Sequence, residues 1–275
     1  MSQETKAGLQ LPSEEEIHVW VARPTLITDQ SLLAEYDRIH APSEAEQRRA
    51  FLFDKHRHEY RITRALSRVV LAAYLNVAPE GVKFQRTTYG RPFLVEPTAL
   101  PGLTFNLTNS VEFVAMAVST RGEVGIDVEA LARGKEIVEI ADTCFFGEEY
   151  RVLSALPPEP KARRAAELWT LKESYIKARG KGLSMPLENF RFRFDDAIDG
   201  SEAKRGPNRE HAISIEIDPN LEDTPERWSF HLMVHHGHSV AVAGERRGES
   251  KSTRPKILTR EVVPLVTDLA SAIML

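Results

Sequence analysis

Three carboxylates in two short segments are the side chains of this chain best suited to chemistry. Asp127 and Glu129 lie in the sequence GIDVE, and Glu173 lies in the sequence WTLKESYIK, which ends at Lys177. Carboxylate oxygens are hard ligands, and Mg²⁺ held by a few of them takes its remaining ligands from water and substrate phosphate. With the ammonium of Lys177 beside them, these acids predict a metal-assisted phosphoryl-transfer site for a nucleotide or a pyrophosphate.

The spacing of the neighbouring residues indicates how these acids are positioned. Around Glu173, apolar residues recur at three- and four-residue intervals, as in a helix that buries one face. Trp169, Glu173 and Lys177 follow at i, i+4 and i+8, so they share a different stripe of that helix. In a strand reading of GIDVE, Asp127 and Glu129 point to the same side, because side chains alternate with period two. Taken singly, each segment also fits an exposed ion pair or a simple strand end.

The two segments resemble the signature pair of the Sfp-type 4'-phosphopantetheinyl transferases, which reads G-[IV]-D-[IV]-E and then W-x-x-K-E-[SA]-x-x-K. Tyr89-Gly-Arg-Pro92 resembles the Gly-Lys-Pro turn of that family, and Phe105-Asn-Leu-Thr-Asn-Ser110 resembles its F-N-[LIV]-[ST]-H-[ST] strand end. The four pieces stand in the family's order, and the resemblance covers about residues 17 to 245. One such motif would be weak evidence, but four in order are specific.

The resemblance implies an enzyme that moves the phosphopantetheine arm of coenzyme A to a serine of an apo carrier protein and releases 3',5'-ADP. It implies Mg²⁺ bound by Asp127, Glu129 and Glu173. Glu173 is also the family's favoured general base, acting on the serine directly or through a water, and both routes stay open. Lys177 is the second catalytic residue, placed to balance phosphate charge.

The same resemblance implies a set of cofactor contacts along both parts of the chain. Asn109 replaces the family's histidine, and an asparagine cannot become cationic, so this contact is neutral here. The ammonium of Lys172 faces either the phosphates or the solvent. The predicted residues that contact coenzyme A are Lys55, Arg86, Arg91, Thr108, Asn109, Lys172 and Lys177.

The predicted fold class is α+β, with a pseudo-twofold pair of similar α/β subdomains and the active site in the cleft between them. The small apolar strand FVAMAV after residue 112 has a counterpart, SVAVAG, after residue 238. We predict a flexible N-terminus over residues 1–16, one subdomain over 17–120 for the adenosine and 3'-phosphate contacts, and a second over 121–245 for the metal and catalytic residues. Residues 246–275 are predicted to form a C-terminal tail, flexible to about residue 260 and then a short amphipathic helix.

Composition limits the class of protein. A chain of 275 residues with 42% hydrophobic and 28% charged residues is typical of a globular protein. Its net charge of −4 argues against a nucleic-acid partner. Cys144 is the only cysteine, which excludes an internal disulfide. There is no signal-like start and no long apolar run, so we expect no membrane association, a cytoplasmic location and a monomer.

Two other functions use the same residues. A magnesium-dependent phosphohydrolase or nuclease would use the three acids with water in place of the serine. A coenzyme A-binding module without turnover would keep the binding residues only. The two-half organisation favours the broad-specificity branch of the family, serving peptide synthetase, polyketide or fatty-acid carriers. Residues 143–150, which contain Cys144-Phe-Phe146, are the predicted carrier contact.

Four histidines cluster late in the chain and raise a separate metal question. In a strand reading, His231 and His235 share a face, and His236 and His238 follow closely. No acidic or cysteine partner is spaced with them. The sequence therefore favours histidines at a surface or at the end of a hairpin.

Overall fold

The protein is described by a computed structural model over residues 9–95, 99–110, 112–194, 213–246 and 254–272. Its α-helices are α1 (Gln30–Ile39), α2 (Pro42–Ala50), α3 (Asp54–Leu75), α4 (Gly134–Glu139), α5 (Ala141–Cys144), α6 (Gly147–Ser154) and α7 (Pro158–Arg179). Its strands are β1 (Glu16–Ala22), β2 (Phe84–Arg86), β3 (Pro92–Leu94), β4 (Thr104–Asn109), β5 (Val114–Ser119), β6 (Val124–Ala130), β7 (Phe190–Phe194), β8 (Ile213–Ile217), β9 (Trp228–His235), β10 (His238–Glu245) and β11 (Lys256–Glu261).

The chain repeats one order of elements twice. The first half runs from β1 through helices that end in α3, then through the β2–β3 pair to the β4–β5 pair. The second half runs from β6 through helices that end in α7, then through β7–β8 to β9–β10. Strand order is β1-β5-β4 in one sheet and β6-β10-β9 in the other. The predicted pair of similar α/β subdomains is confirmed, and the two small apolar strands are the equivalent central strands β5 and β10.

Three buried clusters form the core, one in each half and one between the two sheets. α3 packs on one side of the first sheet, and α7 packs on one side of the second. The remaining faces of the two sheets pack on each other through small and branched side chains, among them Val19 from β1, Ala115 from β5, Ile126 from β6 and Val242 from β10. The arrangement is therefore helix, sheet, sheet, helix. The predicted boundary between residues 120 and 121 falls in the turn that joins β5 to β6.

The predictions for the two ends of the chain are partly wrong. β11 pairs in parallel with β1 and adds a fourth strand to the first sheet, so residues 256–261 are not a flexible tail. The described residues after β11 form turns and not a helix, and Leu269 is buried in the first half's core. At the other end, Leu9 packs against the same core. Residues 1–8 and 273–275 at the two ends lie outside the described residues.

No helix in the described part of the chain has both the length and the apolar character needed to span a bilayer.

Three buried histidines predict a loss of stability in mild acid. Burial lowers the pKa of His18, His40 and His231 to about 4 each, from an ordinary value of 6.5. The unfolded chain therefore takes up protons first as the pH falls below 6.5, and stability is lost progressively between pH 6.5 and 4. Each histidine is expected to cost about 2 kcal/mol at pH 5.

Urea unfolding at pH 7.5 and pH 5.0 measures this loss. His231→Leu removes one titrating group, so the stability difference between the two pH values should shrink by about 2 kcal/mol, whatever the substitution does at pH 7.5. An unchanged difference would mean that His231 is not buried in its neutral form.

Candidate active site

β6 and α7 carry the predicted acids and pack directly on each other. Along β6, Ile126 and Val128 face the other sheet, while Asp127 and Glu129 alternate with them and face α7. The close packing depends on Gly125, because a Cβ atom there would lie 2.0 Å from the carbonyl oxygen of Ser174. The first residue of GIDVE therefore lets the helix approach the strand that bears the two acids.

Asp127 lies where the two halves meet. Its Oδ1 accepts a hydrogen bond of 3.1 Å from the hydroxyl of Thr108 on β4, which belongs to the first half. The ammonium of Lys177 on α7 donates to the same Oδ1 at 2.7 Å and to the Thr108 oxygen at 3.0 Å. The backbone N–H of Ile126 also donates to the side-chain oxygen of Asn106 on β4 at 3.4 Å. One strand of the first half is thus bonded to the acid-bearing strand of the second.

The other two acids experience the charge of Asp127. Burial raises the pKa of Glu173, Asp127 raises it further and Lys177 lowers it. Burial also raises the pKa of Glu129, Arg133 lowers it and Asp127 raises it. The guanidinium of Arg133 donates to Glu129 at 2.9 Å. Three partly or fully buried carboxylates therefore repel one another around Asp127, with one lysine and one largely exposed arginine to offset them.

These residues suit a divalent cation with oxygen ligands. Hard carboxylate oxygens are the donors that Mg²⁺ prefers, and a cation of charge +2 counteracts both the burial and the repulsion by Asp127 that raise the two glutamate pKa values. Among the described residues, Asp127, Glu129 and Glu173 do not bring their ligand atoms within 4.8 Å of one another. Ligand atoms of one octahedral Mg²⁺ with bonds of about 2.1 Å lie at most about 4.2 Å apart, so direct binding by all three acids requires their side chains to move, whereas an acid that stays in place would bind through one of the waters that Mg²⁺ keeps.

A cavity of about 260 Å³ lies on the opposite side of β4. Alternation along this strand places Thr108 towards Asp127 and its neighbours Leu107 and Asn109 towards the cavity and α3. A single strand end therefore connects the acids to the cavity. The lining residues are Gln47, Phe51, His56, Glu59, Tyr60, Thr63, Arg64, Arg86, Pro92, Leu107 and Asn109.

Asn109, the departure from the family pattern, is held by an acid inside this cavity. Its amide donates a hydrogen bond to Oε1 of the buried Glu59, and Nδ1 of His56 lies 3.4 Å from the other oxygen of that carboxylate. His56 therefore lies close to Asn109, the position at which the family pattern has its histidine. Sequence reasoning missed Glu59, since no motif marks it. It also missed Arg133, although the i, i+4 spacing from Glu129 was visible.

Lys172 is not at this site, and the prediction that it contacts the cofactor is wrong. Its side chain is fully buried in the second half, where the ammonium donates to the carbonyl oxygens of Leu187 at 3.0 Å and Phe190 at 2.8 Å. It also forms an ion pair with Glu149 at 3.0 Å. Burial lowers the pKa of Lys172 and raises that of Glu149, since both charges are removed from water. Lys172 is therefore a buried structural residue of the second half, where it links α7 to Glu149 and to the backbone before and at the start of β7.

The other predicted cations lie at three different places. Arg86 lines the cavity and donates to the side-chain oxygen of Gln47 at 3.0 Å. Lys55 is exposed at the start of α3, with its ammonium 6.0 Å from the centre of the Phe53 ring. Arg91 donates to the carbonyl oxygen of Ala178 at the end of α7, and it pairs with Glu123. The geometry thus leaves the cofactor contacts of these three residues as predictions.

The arginines of α3 have buried partners of their own. Arg64 and Arg68 are buried, and both bind Glu44 of α2, at 2.8 and 2.7 Å. The predicted carrier contact is partly interior, since Cys144 and Phe145 are buried in the second half's core, whereas Tyr150 is exposed. Residues 143–150 therefore offer less apolar surface than expected.

The fold and this acid cluster define an α+β protein suited to phosphoryl transfer, and the comparisons with known proteins make the class specific. A model of the 4'-phosphopantetheinyl transferase superfamily matches residues 123–243. A model of the N-terminal part of 4'-phosphopantetheinyl transferases matches residues 28–121. The two models cover the two halves and meet in the turn between β5 and β6.

Curated relatives agree with these models. The chain is 34% identical over 170 residues to the 4'-phosphopantetheinyl transferase HetI of a Nostoc species, which covers 62% of this chain and 71% of the relative. It is 35% identical over 165 residues to a 4'-phosphopantetheinyl transferase of Bacillus subtilis, covering 59% and 71%. It is 31% identical over 186 residues to the transferase Sfp of Bacillus subtilis strain 168, covering 66% and 79%. The chain therefore belongs to the 4'-phosphopantetheinyl transferase family, and the predicted family and enzyme class are confirmed.

Proposed function

We propose that this enzyme transfers the 4'-phosphopantetheine arm of coenzyme A to a serine hydroxyl of an apo carrier protein, with Mg²⁺, and releases 3',5'-ADP. The observation that supports this proposal is the contact of Thr108, Asp127 and Lys177, where both halves of the chain meet beside a cavity of about 260 Å³. The cavity offers Arg86 to a phosphate and aromatic rings to a base or a pantetheine chain.

The reaction forms a bond between the serine oxygen and the phosphorus that carries the pantetheine arm. The bond from that phosphorus to the leaving 3',5'-ADP breaks. Asp127, Glu129 and Glu173 would hold Mg²⁺, which when bound supplies neutralising charge to the phosphate oxygens. The ammonium of Lys177 adds a fixed positive charge beside them. Glu173 accepts the proton of the serine, directly or through a water.

The same proposal covers the working form of the enzyme. Since one chain supplies Thr108 from its first half and Asp127 and Lys177 from its second, a monomer has every residue that the mechanism uses. We propose a cytoplasmic monomer of broad carrier specificity, acting on peptide synthetase, polyketide or fatty-acid carriers. Cofactor contacts by Lys55, Arg86, Arg91 and Asn109 are part of the proposal.

Glu173→Gln tests the assignment of the base. The substitution keeps the shape of the side chain but removes its ability to take a proton, so transfer should fall by about 10²- to 10⁴-fold. Coenzyme A binding, measured by titration calorimetry, should change by only a few-fold. The readout is the mass of an apo carrier protein incubated with coenzyme A and Mg²⁺, which gains one phosphopantetheine group on transfer.

Glu159→Gln is the matched control, because Glu159 lies on the same helix with a largely exposed side chain. It should transfer at the wild-type rate. If Glu173→Gln turns over at the normal rate, Glu173 is not the general base, and the family assignment is unaffected. Consumption of coenzyme A with no gain in carrier mass would instead show hydrolysis, and the proposed transfer would be wrong.

A further inference from the structure

A second cluster of metal-ligand side chains lies away from the acids of the transfer site. His235 ends β9, His236 follows in the turn to β10, and Glu261 ends β11. Within the described ranges, these three form the one group of at least three His, Cys, Asp or Glu side chains whose ligand atoms all lie within 4.8 Å of one another. The sequence showed the histidines, but their acidic partner is 25 residues from His236 and was not recognised.

The distances within this group fit a coordination shell. The Nε2 atoms of His235 and His236 lie 3.4 and 3.1 Å from the same oxygen, Oε2 of Glu261. Tetrahedral zinc with bonds of about 2.0–2.1 Å to nitrogen and oxygen places neighbouring ligand atoms about 3.3 Å apart. The two distances from nitrogen to oxygen therefore match the separation of neighbouring ligand atoms in such a tetrahedron. Two imidazoles and one carboxylate are also a ligand set that zinc binds, with water in the fourth position.

The surrounding residues hold the two rings in place. The Phe113 ring packs edge-on against His235, with ring centres 5.6 Å apart. His236 has φ of 46°, a left-handed conformation that non-glycine residues adopt rarely. Nδ1 of His238 lies 2.9 Å from the carbonyl oxygen of His236, which fixes the turn. The His236 side chain remains exposed, so the site is open to solvent and to an ion.

We propose that His235, His236 and Glu261 bind one divalent transition-metal ion of the Zn²⁺ or Co²⁺ class, separate from the Mg²⁺ of the transfer site. Imidazole nitrogens suit these ions, whereas Mg²⁺ prefers oxygen. The ion links the β9–β10 turn of the second half to β11, which pairs with β1 of the first. It therefore fastens the two halves together on the sheet side, and its bound form should be the more stable one.

Zinc titration of the full chain, freed of metal and in the absence of coenzyme A, tests the proposal. Asp127→Asn serves as the background, since Zn²⁺ can also bind the carboxylates of the transfer site. In that background we expect one saturable Zn²⁺ site, a rise in Tm with Zn²⁺, and with Co²⁺ the visible absorption of a four-coordinate ion.

Two substitutions remove ligands with little change in shape. Glu261→Gln takes away the carboxylate charge, and His236→Asn removes an imidazole while keeping a residue that tolerates the left-handed conformation. Each should weaken Zn²⁺ binding by at least about tenfold and abolish the Tm shift. His58→Asn, which removes an imidazole bonded to the carbonyl oxygen of Pro24 in the first half, should leave both unchanged.

A third variant should act in the opposite direction. Burial is the main cause that lowers the pKa of His235, and the nearby charge of Arg23 adds a small effect in the same direction, so this guanidinium also repels a bound cation. Arg23→Gln should therefore tighten Zn²⁺ binding. The proposal is overturned if the Asp127→Asn protein shows no saturable Zn²⁺ site, or if adding Glu261→Gln or His236→Asn to it leaves Zn²⁺ binding unchanged. Either outcome leaves the proposed transfer untouched, because none of these residues lies among those that it uses.

Discussion

Replacing Asp127 with Asn should reduce transfer to a carrier protein by at least about 10³-fold. The amide keeps the size of the carboxylate and can still accept hydrogen bonds from Thr108 and Lys177, which both bind its Oδ1. It removes the negative charge through which Asp127 acts on Glu129 and Glu173. The variant therefore loses the negative charge that would bind the metal ion, while the contacts of residue 127 with Thr108 and Lys177 are kept.

The readout is the initial rate of carrier modification at saturating Mg²⁺ and coenzyme A, with urea unfolding as the check on folding. Stability should be equal or higher, because mutual repulsion among the acids is relieved. Asp142→Asn, on the exposed face of α5, is the control and should be silent in both assays. If the Asp127 variant loses stability and activity together, its role is to hold β4 against β6 and not to hold the metal.

The acid cluster was predictable because its signal is local. Period two on β6 puts Asp127 and Glu129 on one face, and helical spacing on α7 brings Glu173 and Lys177 to one stripe. Neither pattern predicts the hydrogen bond from Thr108 to Asp127, because these residues are 19 positions apart and meet only through the packing of two sheets. Only the family resemblance placed Thr108 near the phosphates, and the structure now gives it a partner.

The missed elements depend on distant pairing. β11 has the sequence KILTRE, with only two apolar residues side by side and basic residues around them, and composition favoured a tail. Its stability comes from parallel pairing with β1, about 240 positions away, where Ile17 faces Ile257 across the ladder. Such pairing leaves no periodic signal of its own. The carboxylate of Glu261 was invisible as a partner of the histidines for the same reason.

Lys172 shows how a motif can outweigh a better local signal. It follows Leu168 by four positions and precedes Tyr175 by three, so helical periodicity alone puts it on the buried face. The motif suggested a phosphate contact, because it stands one residue before Glu173. Successive residues on a helix point about 100° apart, and that rotation turns one side chain to the site and the other into the core.

Lys172→Met should destabilise the protein by about 3–5 kcal/mol without changing the chemistry of transfer. The variant leaves the buried carboxylate of Glu149 without the ammonium 3.0 Å away, and it leaves two carbonyl oxygens without their donor. Lys161→Met, at a partly exposed position of the same helix, should change stability by less than about 0.5 kcal/mol. Urea unfolding at pH 7 measures both.

A second substitution separates a core role from a phosphate role. Glu149→Gln added to Lys172→Met removes the uncompensated charge and still accepts the backbone N–H of Phe192, so the double variant should recover at least about 2 kcal/mol. The transfer rate per folded molecule should stay within a few-fold of wild type in both. A stable Lys172 variant with lost transfer would instead place this ammonium at the phosphates, and the buried ion pair would then have to open when coenzyme A binds.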